Sequence, residues 1–379
     1  MILTKCAACA APLAHDAPRC VRCKIRYCNL TCQHDHWRRG HKQICKKIHR
    51  GGNAEQYNAD NKYKEAVAVA AEACAEDTKG QTCYICTEAV HWKTKEGLVR
   101  GCSCRGTSGF AHLSCLAEQA KILVAEVEGS NLDYKAQNER WNRWHMCGLY
   151  EQRYNGVVNC ALGWACWKTY LGRQEEDKVR RMAMTLLWNG LTCAQRHEDA
   201  LSVLEAELAL QRRLGDSEGN ILAVQSNLAS TYSTLGRFEL ALRMKREVYS
   251  GRLKLNGKEH IETLIAAQNY ESCLGDLEHY EGVKSLLRRT IPVTRRVLGD
   301  DDRITLTMRT SYALALFEDE GAALDDLHES VETLEDANRI ARRVLGASHP
   351  TTAGIERTLI FSRAALSARE PAAGGGCVK

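Results

Sequence analysis

Proline and phenylalanine are scarce in this chain of 379 residues, at five and four. With Ala, Leu, Arg and Glu abundant, that shortage favours helices over sheets. The length allows two or three domains with sizeable cores. No apolar run reaches membrane-spanning length: the best candidate, Val157 to Trp167, stops at Lys168. Only Met1 to Lys5 precede Cys6, with no apolar segment of the secretory kind, so an intracellular place, cytoplasmic or nuclear, is expected. P-loop, GxGxxG, HExxH and nucleophile-elbow motifs are all missing, which leaves the chain without a catalytic motif of its own.

What is abundant is cysteine. There are 19, and 13 fall in the first 115 residues, mostly in close pairs with histidines nearby. In a chain without a secretory signal, such pairs read as metal ligands rather than disulfides. Net charge is +5 but uneven: residues 1–50 carry eleven Lys and Arg against Asp16 and Asp35. Seven thiolates and two zinc ions there would leave that segment at about +6.

The chain divides by composition. Residues 1–50 hold a first Cys/His cluster, and Gly51-Gly52-Asn53 reads as a hinge opening a linker over 51–80. Within it, Ala-rich Tyr63 to Glu76 predicts a helix. Residues 81–155 hold a second cluster, and 156–182 form a Trp-rich bridging helical segment. From 183 to 367 the sequence repeats: Gly215, Gly257 and Gly299 are 42 residues apart, and Gly346 follows after 47, placing a short insertion around Glu318–Ala323. Each glycine should accept the left-handed backbone that ends a helix. A tail, 368–379, is expected to be disordered. The fold class is thus mainly α: two small zinc-stabilised modules, then an α-α superhelical array whose helix pairs must stack to bury their apolar faces.

The first cluster is Cys6-x2-Cys9-x10-Cys20-x2-Cys23-x4-Cys28-x3-Cys32-x8-His41-x3-Cys45. Eight soft ligands suit two tetrahedral zinc ions. So small a segment, poor in large apolar groups, needs the metal to fold. The run Tyr27-Cys28-x3-Cys32-Gln33-x3-Trp37-x3-His41-x3-Cys45 resembles the MYND finger at every ligand position. That resemblance implies interleaved ligation, with Cys6, Cys9, Cys28 and Cys32 on one zinc and Cys20, Cys23, His41 and Cys45 on the other. It also implies binding of short proline-containing peptides, with Gln33 and Trp37 lining the groove; the alternative is that Trp37 packs the finger and Gln33 caps a turn. His15, His34 and His36 lie off the ligand pattern and are expected to be solvated.

The second cluster is Cys83-x2-Cys86-x15-Cys102-x-Cys104-x7-His112-x2-Cys115-x31-Cys147. The runs Gly101-Cys102-Ser103-Cys104-Arg105-Gly106-Thr107 and His112-Leu113-Ser114-Cys115 resemble the RING-CH, or RING-variant, finger. The resemblance implies Cys83, Cys86, His112 and Cys115 on one zinc and Cys102, Cys104 and Cys147 on the other. The eighth ligand would be position 150, which is Tyr150. His145 or Cys160 could substitute, or the site is weakened or empty, so one or two zinc ions are expected here. RING-CH fingers belong to ubiquitin ligases and recruit a ubiquitin-conjugating enzyme; Ile85 occupies a contact position, but the family's Trp is Gln119.

The 42-residue unit, with Leu345-Gly346-x2-His349-Pro350-x-Thr352, resembles tetratricopeptide repeats of the kinesin-light-chain kind. Such arrays present a groove to peptides or helices. Together these features predict a zinc-binding protein–protein interaction scaffold whose finger and repeats recruit partner proteins; the rival reading is a RING-type ubiquitin ligase. Nothing resembles a SET methyltransferase, and no recognition-helix pattern supports nucleic-acid binding. Cys74, Cys166, Cys193 and Cys273 lack ligand-spaced partners and should be buried small hydrophobes, with Cys377 exposed.

Overall fold

A computed structural model describes residues 5–11, 13, 16–104, 106, 108–128 and 133–370. His15, Arg105, Thr107, Cys377 and most of the expected tail lie outside the described residues. The chain forms two units, Met1–Asp216 and Ser217–Lys379. Among the described residues the architecture is helical, and extended pairing is limited to three isolated antiparallel bridges, Arg19 with Arg26, Val99 with Ala111, and Met146 with Arg153.

The first unit starts as a ligand-rich coil leading into α1 (Leu30–His36) and α2 (Lys42–Arg50). Between them Trp37–His41 winds as a π-turn, and Gly40, at φ 130°, breaks the helical path as few other residues could. Helix α3 runs Ala54–Ala73, starting nine residues before the sequence-based helix and ending three before it. The reason for the early start is Asn53, whose side chain accepts the Gln56 N–H at 2.9 Å and so caps the first turn. Ala59, Tyr63, Ala66 and Ala70, spaced four, three and four, face inward. They join one core with α4 (Leu113–Glu128), α5 (Tyr134–Trp141), α6 (Gly156–Tyr170) and α7 (Lys178–Cys193).

Helix α6 is the axis of this core. Every residue from Val158 to Trp167 is buried, and all but Asn159 lack a charged or amide side chain, as suits a central helix. It lies against α7 at two glycines: a Cβ on Gly190 would come within 2.7 Å of the Asn159 carbonyl oxygen, and one on Gly163 within 3.0 Å of that of Leu186. Helix α8 (His197–Leu214) pairs with α7 and ends at Gly215, whose φ 66° and ψ 37° are left-handed.

The second unit continues the helix pairs: α9 (Glu218–Thr234) with α10 (Phe238–Asn256), α11 (Ile261–Asp276) with α12 (Tyr280–Leu298), α13 (Arg303–Glu318) with α14 (Leu324–Leu345), and then α15 (Pro350–Arg369). Leu286, Leu287, Met308 and Leu316 centre one core, and Leu306, Leu334, Ile340 and Ile355 the next. Gly257, Gly299 and Gly346 also terminate helices at positive φ, but with ψ of 161° to 171°. That region is more restrictive than the left-handed helix expected and is open essentially to glycine alone. The five-residue insertion is shared: the 319–323 loop has five residues where the equivalent loops have three, and α14 has 22 residues where α10 and α12 have 19.

Candidate metal centres

One local backbone shape recurs through the cysteine-rich part. The Cys6 N–H donates to the Ala11 carbonyl at 2.7 Å, and the Cys6 carbonyl accepts from Ala10 at 2.9 Å. The same two bonds, five and four residues apart, close turns at Cys20 (Ile25, Lys24), Cys83 (Glu88, Thr87) and Cys147 (Gln152, Glu151). In each turn the residue four on, Ala10, Lys24, Thr87 or Glu151, has positive φ between 53° and 65°. This tight turn aims the side chains of its first and fourth residues in one direction, and the second ligand pair comes from elsewhere in the chain.

The structure brings the candidate ligands into four sets. Cys6, Cys9, Cys28 and Cys32 form one; Cys20, Cys23, His41 and Cys45 a second; Cys83, Cys86, His112 and Cys115 a third; in every set the donor atoms lie within 4.8 Å of one another. Sulfurs 2.3 Å from a tetrahedral zinc would stand about 3.8 Å apart, and a sulfur and an imidazole nitrogen about 3.6 Å. Observed separations are 3.7 Å for Cys9–Cys28, 3.8 Å for Cys20–Cys45, 3.4 Å from Cys23 to His41 Nε2, and 3.3 Å from Cys86 to His112 Nδ1. Donor number, type and spacing in these three sets therefore fit zinc. The two histidines present opposite ring nitrogens to their sets.

Electrostatics agree with a cation at each set. Burial opposes ionisation of Cys6, Cys20, Cys83 and Cys147, but backbone N–H groups outweigh it, and each thiol lies below its ordinary pKa, Cys6 at about 6. Their neighbours go the other way: burial and adjacent sulfurs push Cys23 and Cys104 up to about 12, and the Cys28 sulfur does most to push Cys32 there too. Thiols this crowded cannot all ionise unless a positive ion compensates them.

The fourth set is different. Cys102, Cys104 and Cys147 converge, with Cys104 and Cys147 at 3.5 Å, but among the described residues no fourth donor joins them. Tyr150 occupies the fourth place of the Cys147 turn and is exposed. His145 is outside the cluster, its pKa lowered first by burial and then by Arg153. Cys160 is on α6, where burial raises its thiol to about 11 and the nearby charges are Arg196 and Asp199. Neither proposed substitute therefore completes the set. Tyr84 and Tyr154 are close enough to feel Cys147, but burial holds both phenols neutral, Tyr84 at about 12. Three thiolates do not make a closed tetrahedral site. The site is nonetheless tightly built: Gln152 accepts the Ser103 N–H at 3.1 Å, and a Cβ on Gly109 would meet Cys104 Cβ at 2.8 Å and Cys102 Sγ at 3.1 Å.

Two histidines matter in ways the ligand spacing did not signal. His36, expected in solvent, is half-buried; it stacks on the His41 ring at 5.0 Å and bonds the Tyr27 hydroxyl at 3.0 Å. His91 lies edge-on to His112 at 5.3 Å and opens a fifth copy of the tight turn, closed by Glu96 and Lys95. That turn has Thr94 in place of a second ligand, so no cysteine marked it. Glu96 then reaches the start of α4, accepting the Ser114 N–H at 2.6 Å and hydroxyl at 2.9 Å, which fixes the His112–Cys115 pair on its helix. Of the remaining cysteines, Cys166 and Cys273 are buried, Cys74 is half-buried, and Cys193 is exposed, contrary to expectation.

Comparisons with known proteins follow the same divisions. The MYND finger family model matches residues 6–45, the RING-variant domain 83–125, and the tetratricopeptide repeat 181–254. Among curated proteins, Ubiquitin carboxyl-terminal hydrolase 17 of Arabidopsis thaliana is 43% identical over 54 residues, and Ubiquitin C-terminal hydrolase 15 of Oryza sativa subsp. japonica 50% over 44. Those stretches are 14% and 11% of this chain, and the chain spans only 7% and 4% of the two relatives. Among solved structures, a Podosopora anserina kinesin light chain-type protein with nearly identical TPR-like repeats is 21% identical, with a TM-score of 0.44 over 51% of this chain and 90% of that one. BtubC (BKLC) from P. vanneervenii is 11% identical, with a TM-score of 0.37 over 70% and 97%. No helix among the described residues is long and apolar enough to cross a membrane. The chain thus combines segments that match the MYND finger, the RING-variant domain and the tetratricopeptide repeat with Cys/His sets that fit zinc, a composition that supports a zinc-binding protein-interaction module.

Proposed function

We propose that the chain is an adaptor whose first finger, held by two zinc ions, captures a proline-containing peptide, while its repeats recruit a second partner. One observation carries the peptide reading: Gln33 and Trp37 line the same surface cavity, of about 660 Å³. Trp37 is 41% and Val21 86% exposed there, an apolar surface that a proline ring and its neighbours would cover. Arg22, Lys42 and Lys46 edge it, which favours peptides with an acidic residue beside the proline. Fluorescence anisotropy with such a peptide tests this. Trp37→Ala should weaken binding roughly tenfold or more, the loss expected of an aromatic anchor. Undiminished binding with zinc content unchanged would refute the groove.

A second reading, ubiquitin ligation, is favoured by one feature. Ile85, Trp92 and Ile122 line a cavity of about 1160 Å³ beside the Cys83 set, and Trp92 is 68% exposed. This apolar surface would suit a conjugating enzyme and puts a tryptophan near the Gln119 that departs from the family pattern. The named activity of the plant relatives adds little, because so little of their length is shared. Autoubiquitination that disappears in both Cys83→Ser and Ile85→Ala would support ligation; its absence with a panel of conjugating enzymes would remove it.

A further inference from the structure

The first unit contains a second, differently charged cavity, of about 260 Å³, whose lining includes none of the candidate ligands, although Arg19 and Lys24 directly flank Cys20 and Cys23. Six cationic side chains line it. Arg19, Lys24 and Arg26 come from the Cys20 turn and its flanks, Arg180 and Arg181 from α7, and Arg213 from α8. The acidic residues in its wall are Glu55 and Glu175, so the lining holds four positive charges in excess.

Arg213 pairs with Glu175, and Arg181 with Asp216 at 2.7 Å. Arg19, Lys24 and Arg180 form no ion pair among the described residues. Arg180 donates to the Arg173 carbonyl at 3.0 Å, but its Nε, like that of Arg181, is buried without a hydrogen-bond partner. Buried guanidinium donors normally find an acceptor, and bringing like charges together costs energy unless something neutralises them. Surface lysines and arginines that merely solubilise a finger would point apart into water; these converge from the Cys20 turn with its flanking bridge and from helices α7 and α8.

We infer that this cavity binds a small multiply charged phosphate anion, of the di- or triphosphate kind. Volume and charge select that class. The cavity is below the roughly 300 Å³ at which drug-sized pockets begin, too small for a nucleic-acid strand or a folded partner. With Asp216 neutralising Arg181, the remaining excess of three positive charges matches a polyphosphate chain better than a monovalent ion. Guanidinium groups, moreover, bind phosphate oxygens through paired N–H donors. The inference is independent of the peptide groove: the Trp37 substitution should leave it untouched.

Isothermal titration of the full-length, zinc-loaded chain with tripolyphosphate, pyrophosphate, ATP and orthophosphate tests it, with released zinc followed by a chromogenic chelator. Tripolyphosphate should bind roughly tenfold or more tighter than orthophosphate, and more weakly as salt rises. Equal affinity for ATP and tripolyphosphate would identify the phosphate chain as the whole determinant; tighter ATP binding would identify a nucleotide as the source. Arg19 and Lys24 are exposed, so the Arg19→Glu/Lys24→Glu variant should keep its helicity and zinc and lose about a hundredfold in affinity. If that variant fails to fold, Arg180→Ala should show the same preference for losing polyphosphate over peptide. No binding at millimolar probe, unchanged binding in the variants, or heat accounted for by zinc release would overturn the inference.

Discussion

The first finger and the second unit solve the same problem with opposite means. In the finger, four of the seven residues of the buried core are cysteines, Cys6, Cys20, Cys23 and Cys45, with Tyr27, Ile48 and Ala54 completing it. In the second unit the largest core is Leu, Ile, Val, Met, Ala and Tyr, with no cysteine among its ten buried members. The finger has too little apolar surface to offset chain entropy, and each bound zinc supplies on the order of 10 kcal/mol instead. The repeats draw about 2 kcal/mol from each buried leucine-sized side chain and need no ion. Folding by chelation depends on a few identities at fixed spacings; folding by burial depends on many interchangeable ones.

The strongest way to break this comparison is to remove the metal. Under reducing conditions a high-affinity chelator should abolish the dispersed NMR signals of residues 5–50, at a cost on the order of 10 kcal/mol per ion, while helicity from α9 to α15 survives. Equal loss in both regions would show that they are not independently stabilised. A smaller effect, in the repeats alone, comes from Glu271, which is 2% exposed on α11. Burial is the main cause of its rise to about 8, with the Ser311 hydrogen bond pulling the other way. Folded, it therefore holds its proton where the unfolded chain, with a carboxyl near 4.3, has lost it. The associated stability is present below about pH 4.3 and disappears as pH climbs toward 8. Glu271→Gln should accordingly match the parent at pH 5 and exceed it by about 3 kcal/mol at pH 8 in urea unfolding.

Packing at the α6–α7 contact gives the next test. Gly190→Ala places a Cβ against the Asn159 carbonyl, and about 2 kcal/mol should be lost in thermal unfolding of the first unit. The smallest expected change sharpens the contrast between complete and incomplete ligand sets. Tyr150→Cys supplies the missing fourth thiolate in a turn that already has the right shape. Native mass spectrometry and chelator competition should show one more tightly held zinc, with affinity at that set raised roughly tenfold or more. No change would mean that the turn, despite its hydrogen bonds, does not direct position 150 to Cys102 and Cys104.

The sequence disclosed the parts of this molecule that depend on identity at fixed intervals. All fifteen candidate ligands fall into the four sets named from their spacing and family likeness. The repeat period was equally plain, because Gly257, Gly299 and Gly346 occupy backbone that scarcely any other residue tolerates. What stayed hidden depends on three-dimensional approach. Nothing local marks His36 and His91 as supports for ligand histidines, since a stacked ring and a solvated ring have the same sequence neighbours. The basic cavity was invisible for the same reason: Arg19 and Arg213 are nearly two hundred positions apart. The cap at Asn53 was hidden beside two glycines, because a cap and a hinge use the same residues.

The turn at His91 and the one at Cys147 hold their form with one thiol or none. Their backbone hydrogen bonds carry the shape, so the ligand is a removable fitting on a self-supporting bracket. Lineages could then discard or regain a metal at such a position without passing through a collapsed intermediate. Tyrosine and cysteine codons differ by a single base, which puts a three-thiolate site and a closed one within one mutational step of each other.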